Sequence, residues 1–156
     1  MLIGVISDTH RQLTCISRIE EIFKDVDLII HLGDNVRDVE ELSNHFKCKI
    51  INVRGNCDFT SRVPSERIEI VNGKKILITH GDAYGVKYDL SRLRYRALEE
   101  EIDIVLFGHT HCSMAEYIEG IWYINPGSPS LPRNGQKSVA ILKIENGMTD
   151  VSIVGI

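Results

Sequence analysis

Ile104-Val105-Leu106-Phe107-Gly108-His109-Thr110-His111 is the stretch on which the reading of the fold turns. An apolar, β-prone run ends at a glycine, and two histidines then flank a threonine. The run, from Asp103 to Phe107, reads as a buried strand. Gly108 permits a sharp turn or a close backbone approach. His109 and His111 then lie at the carboxyl end of that strand, where α/β sheets bind their ligands. Alone, a His-x-His pair is as readily structural as functional. The rest of the chain gives it weight, because other predicted strands end in the same style.

Moving upstream, Arg67 to Val71 and Lys74 to Thr79 flank Asn72-Gly73, the signature of a two-residue hairpin turn. The second arm runs into His80-Gly81-Asp82. Ala83 to Tyr88 reads as a loop, and the helix after it turns Leu90, Leu93, Ala97 and Leu98 inward, with Arg92, Arg94 and Arg96 solvated. At the start of the chain, Leu2 to Ile6 is a strand that ends in Asp8-Thr9-His10. Side chains two apart on an extended segment point the same way, so Asp8 and His10 can converge. An Asx turn explains Asp8 equally well. A helix is expected from Leu13, with Ile16, Ile19 and Phe23 inward.

Asp27 to Leu32 leads into Gly33-Asp34-Asn35, and Lys49 to Val53 leads into Gly55-Asn56-Cys57-Asp58. His31 lies one position too deep to share the role of Asp34 and reads as a packed or supporting histidine. Asn35 suits a cap for the next helix, which carries Val36, Val39, Leu42 and Phe46. Asp38, Glu40 and Glu41 suit that helix's first turn without further function. Asn56 offers a neutral oxygen for a cation, or it simply forms a Gly-Asn turn. Downstream of His111 come two hairpins and the rigid turn Asn125-Pro126-Gly127-Ser128-Pro129. The second hairpin pairs Ser138–Ile144 with Thr149–Val154 around Asn146-Gly147.

The chain has 156 residues, enough for one domain (1–156) with a real core. Its net charge of −4 argues against a general nucleic-acid or anionic-membrane surface. No apolar run is long enough to span a bilayer, and the start reads as a strand and not a signal peptide. Cys15, Cys48, Cys57 and Cys112 form no CxxC pair, which suits reduced thiols and a cytoplasmic protein.

Gathered together, the strand ends hold Asp8, His10, Asp34, Asn56, His80, His109 and His111. Seven donors exceed one tetrahedral zinc site. They suit two ions about 3.5–4 Å apart that share a carboxylate. The blocks Asp8-x-His10, Gly33-Asp34, Gly55-Asn56, His80 and Gly108-His109-x-His111 resemble the calcineurin-like metallophosphoesterases, in that family's order. The small size, Gly55-Asn56-Cys57-Asp58 and Asn125-Pro126-Gly127-Ser128 resemble its small prokaryotic, YfcE-like phosphodiesterase branch.

The resemblance implies an α/β (α+β) fold, two mixed sheets packed as a sandwich and flanked by helices. It implies one ion on Asp8, His10 and His111, another on Asn56, His80 and His109, and Asp34 between them. Asp34, Asn56 and His109 are the residues it places in catalysis. The expected reaction is hydrolysis of a small phosphodiester by in-line attack of a water or hydroxide that bridges the two ions. Mn(II) is the expected metal, with Ni, Zn, Fe or Co as alternatives.

Larger relatives carry a histidine where this chain has Cys57, so modest turnover and a preference for good leaving groups are expected. The loops 59–66, 81–88 and 125–133 are the expected specificity elements. The competing readings are a phosphomonoesterase and a non-catalytic scaffold of the kind a retromer subunit makes from this fold. The C-terminal hairpin and Trp122 suit a homo-oligomer contact or the core equally.

Overall fold

The computed structural model describes residues 1–12 and 14–156; Leu13, expected to open the first helix, lies outside them. β-Branched, apolar runs form most of the strands. β1 (Leu2–Ile6), β2 (Leu28–His31) and β3 (Lys49–Asn52) pair in parallel, with α1 (Ile16–Ile22) and α2 (Asp38–His45) in the crossovers. β4 (Glu66–Val71) and β5 (Lys74–Thr79) form the Asn72-Gly73 hairpin. α3 (Ser91–Glu99) leads to β6 (Ile104–Leu106), which pairs in parallel with β5. β7 (Ser113–Ile118), β8 (Ile121–Pro126), β9 (Ser138–Glu145) and β10 (Met148–Gly155) complete the chain as two hairpins.

The strands make two mixed sheets, ordered β10-β9-β1-β2-β3 and β4-β5-β6-β8-β7. Between them lies a buried apolar layer that includes Ile3, Val5, Ile30, Ile78, Leu106 and Leu142. A second core fills the space under α3 and a third the space under α1 and α2. This layering explains the unbroken apolar run at 104–107. Ile104 and Leu106 face the opposite sheet, while Val105 and Phe107 face the α3 core. A strand covered on both faces needs no polar alternation. The architecture is the helix-flanked sandwich that the resemblance implied.

Local details depart from the sequence reading. The segment expected as a loop from Ala83 contains a short 3₁₀ turn, Asp82–Tyr84, held by left-handed glycines on either side. Leu98 is 53% exposed and is not on the inner face of α3, where Leu93 and Ala97 are buried. Asn35 does not cap α2, which has no side-chain cap. Asp38 is not an idle first-turn acid: it is buried, and it accepts the Thr9 hydroxyl at 2.5 Å and the Arg11 N–H at 2.9 Å. Among the described residues no helix is long and apolar enough to cross a membrane.

Candidate metal centre

The segments that follow β1, β2, β3, β5 and β6 meet at one end of the sandwich. They bring all seven strand-end side chains together. Asp8 Oδ1 lies 3.1 Å from His111 Nε2, and His111 Nε2 lies 3.3 Å from His10 Nε2. Across the site, His80 Nε2 is 3.2 Å from Asn56 Oδ1 and 3.1 Å from His109 Nδ1. Asp34 stands between the two groups. Its Oδ1 is 3.5 Å from His80 Nε2 and its Oδ2 is 3.8 Å from His10 Nε2.

The backbone reaches this arrangement by a route the alternation argument did not foresee. Asp8 and His10 are not extended: their φ values are +56° and +48°. Asp34, His109 and His111 also take positive φ, at +56°, +67° and +58°. L-residues occupy this region only where the surroundings hold them there, and such positions cluster at functional sites. Gly33, at φ +94°, makes the turn into Asp34. Gly108 serves by close approach instead: a Cβ there would lie 2.8 Å from Asp8 Oδ2 and closer still to Ser7 Oγ.

Hydrogen bonds outside the seven fix their orientation. Ser7 Oγ donates to Asp8 Oδ2 at 2.6 Å, and the His109 N–H donates to the same oxygen at 3.0 Å. Ser128 and Ser130 both donate to the Asp8 carbonyl, at 2.8 and 2.9 Å. Asn125 Nδ2 donates to the Gly108 carbonyl and to Thr110 Oγ1. Asp58 accepts the main-chain N–H groups of Asp34, Asn35, Val36 and Gly55. The sequence reading gave Ser7 and Asp58 no part in the site and placed Asn125, Ser128 and Ser130 only in a segment expected to set specificity. Their signal was present in the two quoted blocks that contain Asp58 and Ser128, but their partners lie too far away in the chain to infer. His31 is a supporting group, as read. It is fully buried, its Nδ1 accepts the Gly33 N–H, and its Nε2 lies 3.1 Å from Thr9 Oγ1. Since the Thr9 proton goes to Asp38, His31 Nε2 carries the other proton, and burial holds the ring neutral with a pKa of about 4.

The protonation pattern tests whether a cation fits. His80 Nδ1 faces the Leu32 carbonyl at 2.8 Å and His111 Nδ1 faces the Leu131 carbonyl at 2.7 Å. Each Nδ1 must donate there, so each Nε2 turns into the site. Against burial, Asp34 and Asp8 raise the His80 ring and Asp8 raises the His111 ring, which favours a proton on Nε2. A cation that displaces that proton would meet the lone pair that metal-binding histidines use. Asp8 Oδ1 is buried and has no hydrogen-bond partner unless His111 Nε2, 3.1 Å away, carries a proton. A carboxylate oxygen and an imidazole lone pair 3.1 Å apart repel unless a cation or a proton lies with them. Burial alone would raise the Asp34 carboxyl, but His80 and the Cys57 N–H outweigh it and hold it well below the usual carboxylate range. Asp8 is lowered against its burial in the same way, by His111, His80 and Ser7. Both carboxylates are therefore ionised. Two separate sets meet the spacing of a metal site, Asp8–His10–His111 and Asp34–His80–His109, and a third, His10–Asp34–Cys57, shares one residue with each.

The site and fold together define a metal-dependent phosphoesterase class, and comparison with known proteins gives the family. The model of the calcineurin-like phosphoesterase superfamily domain matches residues 1–147. The chain belongs to that superfamily. It is 37% identical over 155 residues to the probable metallophosphoesterase YsnB of Bacillus subtilis, covering 97% of this chain and 89% of that protein. It is 29% identical to the phosphodiesterase YfcE of Escherichia coli, covering 83% of this chain and 79% of the relative. Among solved structures, a predicted phosphoesterase of Streptococcus pneumoniae superposes with a TM-score of 0.84 at 30% identity, over 99% of this chain and 88% of that one. Vps29 of Entamoeba histolytica superposes with a TM-score of 0.77 at 19% identity, over 99% of each chain, and so shares the fold.

Proposed function

We propose that this chain hydrolyses a phosphodiester with two divalent ions, Mn(II) being the first to test. Asp8, His10 and His111 would hold one ion and Asn56, His80 and His109 the other, with Asp34 within reach of both groups. The observation that carries the reading is the convergence of imidazole nitrogens on two ionised carboxylates around the buried Asp8 Oδ1. The two-ion division rests on Asp34, whose oxygens face opposite groups. When bound, the ions supply Lewis acidity toward the phosphoryl oxygens and an acidified water.

The protein supplies the rest. The two ionised carboxylates and neutral imidazoles leave a positive field for the substrate's phosphate once cations are present. Ser7, Ser128, Ser130 and Asp58 keep the donors from turning, so little reorganisation accompanies attack. Partial burial and the Asp34 carboxylate push the Cys57 thiol up to about 11. It keeps its proton at neutral pH and is a weak acid for a departing alkoxide, which favours esters with good leaving groups.

Chelator-stripped protein should not hydrolyse bis(4-nitrophenyl) phosphate, and Mn(II) should restore turnover. The diester rate should exceed that of 4-nitrophenyl phosphate. A faster monoester would replace the diesterase reading with a monoesterase. Absence of turnover with any divalent ion, in protein that binds metal by calorimetry, would leave a scaffold role. No observation favours that role here, since each of the seven positions carries a metal-competent donor.

A further inference from the structure

Beside the metal cluster lies a pocket of about 310 Å³ lined by Arg11, Asn35, Arg37, Cys57 and Phe59 among others. Cys57 belongs both to this pocket and to the set with His10 and Asp34, so the two spaces adjoin. Arg11 directly follows His10 in the chain, and Cys57 follows Asn56. Arg11 and Arg37 are both exposed. Among the described residues neither forms an ion pair. The acid in the pocket wall, Asp58, has both oxygens committed to main-chain N–H groups.

Arg11 is also held in place. Its φ is +58°, its N–H donates to buried Asp38, and its Nε donates to Asn35 Oδ1 at 3.2 Å. Its terminal nitrogens remain for a ligand. Phe59, on the pocket wall, is 87% exposed. An acidic chain that places two guanidinium groups without an acidic partner and an uncovered aromatic ring beside a phosphoesterase centre has built a complement for an aromatic, anionic group. Guanidinium groups bind phosphate with paired, charge-assisted hydrogen bonds. An exposed ring offers a stacking platform to a base.

We propose that this pocket selects the ester arm that stays on the phosphate: a nucleoside whose base stacks on Phe59 and whose further phosphate is held by Arg11 and Arg37. The substrate class is then a nucleotide phosphodiester with an additional phosphate. This inference rests on the diesterase reading of the adjoining centre.

The test uses two substrates with the same leaving group on Mn(II)-loaded protein. One is thymidine 3′-phosphate 5′-(4-nitrophenyl phosphate) and the other is methyl 4-nitrophenyl phosphate. The wild type should favour the nucleotide by at least about tenfold in kcat/KM. That ratio should fall about tenfold in each of Arg11→Gln, Arg37→Gln and Phe59→Ala, as expected for losing a charged hydrogen bond or a stacked ring. No preference in the wild type, or a ratio unchanged in all three variants, would overturn the proposal.

Calorimetric titration with thymidine 3′,5′-bisphosphate separates the two readings. If neither ester turns over, the diesterase reading fails. Binding of the bisphosphate that is weakened about tenfold in the variants would still support the pocket. Absence of binding would overturn it as well.

Discussion

Asp58 lies outside the seven donors, yet it holds two of the segments that carry them. Its oxygens gather N–H groups from Asp34, Asn35 and Val36 on one loop and from Gly55 on the next. Removing it leaves several partly buried donors unpaired. Asp58→Ala should cost about 3 kcal/mol or more, read as a lower urea midpoint, and should weaken metal binding in the same preparation. His31 makes a second prediction at this scale. Its folded pKa of about 4 lies below the unfolded value of 6.5, so the unfolded chain binds more protons between those limits. Stability therefore falls as pH is lowered from about 6.5 to about 4, by about 3 kcal/mol for this group alone. Urea titrations of metal-free protein across that interval should show His31→Gln with a correspondingly shallower pH dependence than the wild type. An equal slope in both proteins would assign the effect to other groups.

At the scale of elements, strands were more legible than helices. The Asn72-Gly73 and Asn146-Gly147 hairpins follow from a local turn preference, and the apolar run before Gly108 names its own strand. Helix faces depend on what covers them. Leu98 is one residue, about 100°, round from Ala97 and rotates off the α3 core. Leu93→Ala should therefore cost about 2–4 kcal/mol, whereas Leu98→Ala should change stability by less than about 0.5 kcal/mol. Denaturation midpoints of the pair decide between this face and the one expected from periodicity. The donors were legible because glycine and ligand-type residues punctuate strand ends. Their left-handed backbones were not legible, because nothing in the local residue types at Asp8 or His10 demands φ above zero. Distant contacts impose it, among them the Ser128 and Ser130 hydroxyls on the Asp8 carbonyl.

For the whole molecule, the decisive fact is that the two sheets share the site. Asp8, His10, Asp34 and Asn56 follow strands of one sheet, and His80, His109 and His111 follow strands of the other. Bound cations would tie the sheets together at that end and bind the folded state alone. Mn(II) at a hundred times its Kd should raise stability by about 2.7 kcal/mol, seen as a higher thermal midpoint. His80→Ala should reduce that gain while leaving exposed surfaces unaltered. A gain of equal size in His80→Ala would place the stabilising ion elsewhere.

The order of β1 within its sheet has a consequence for biosynthesis. The segment after β1 carries Asp8 and His10 and is made before either neighbour of β1 in the sheet, β2 or β9. The last donor, His111, follows a hundred residues later, and the serines that steady Asp8 later still. A truncated or stalled product therefore has the first two donors and no way to seat them. Competence for metal is withheld until the chain has been made past Ser130, so capture of the ion reports that every segment of the site is in place.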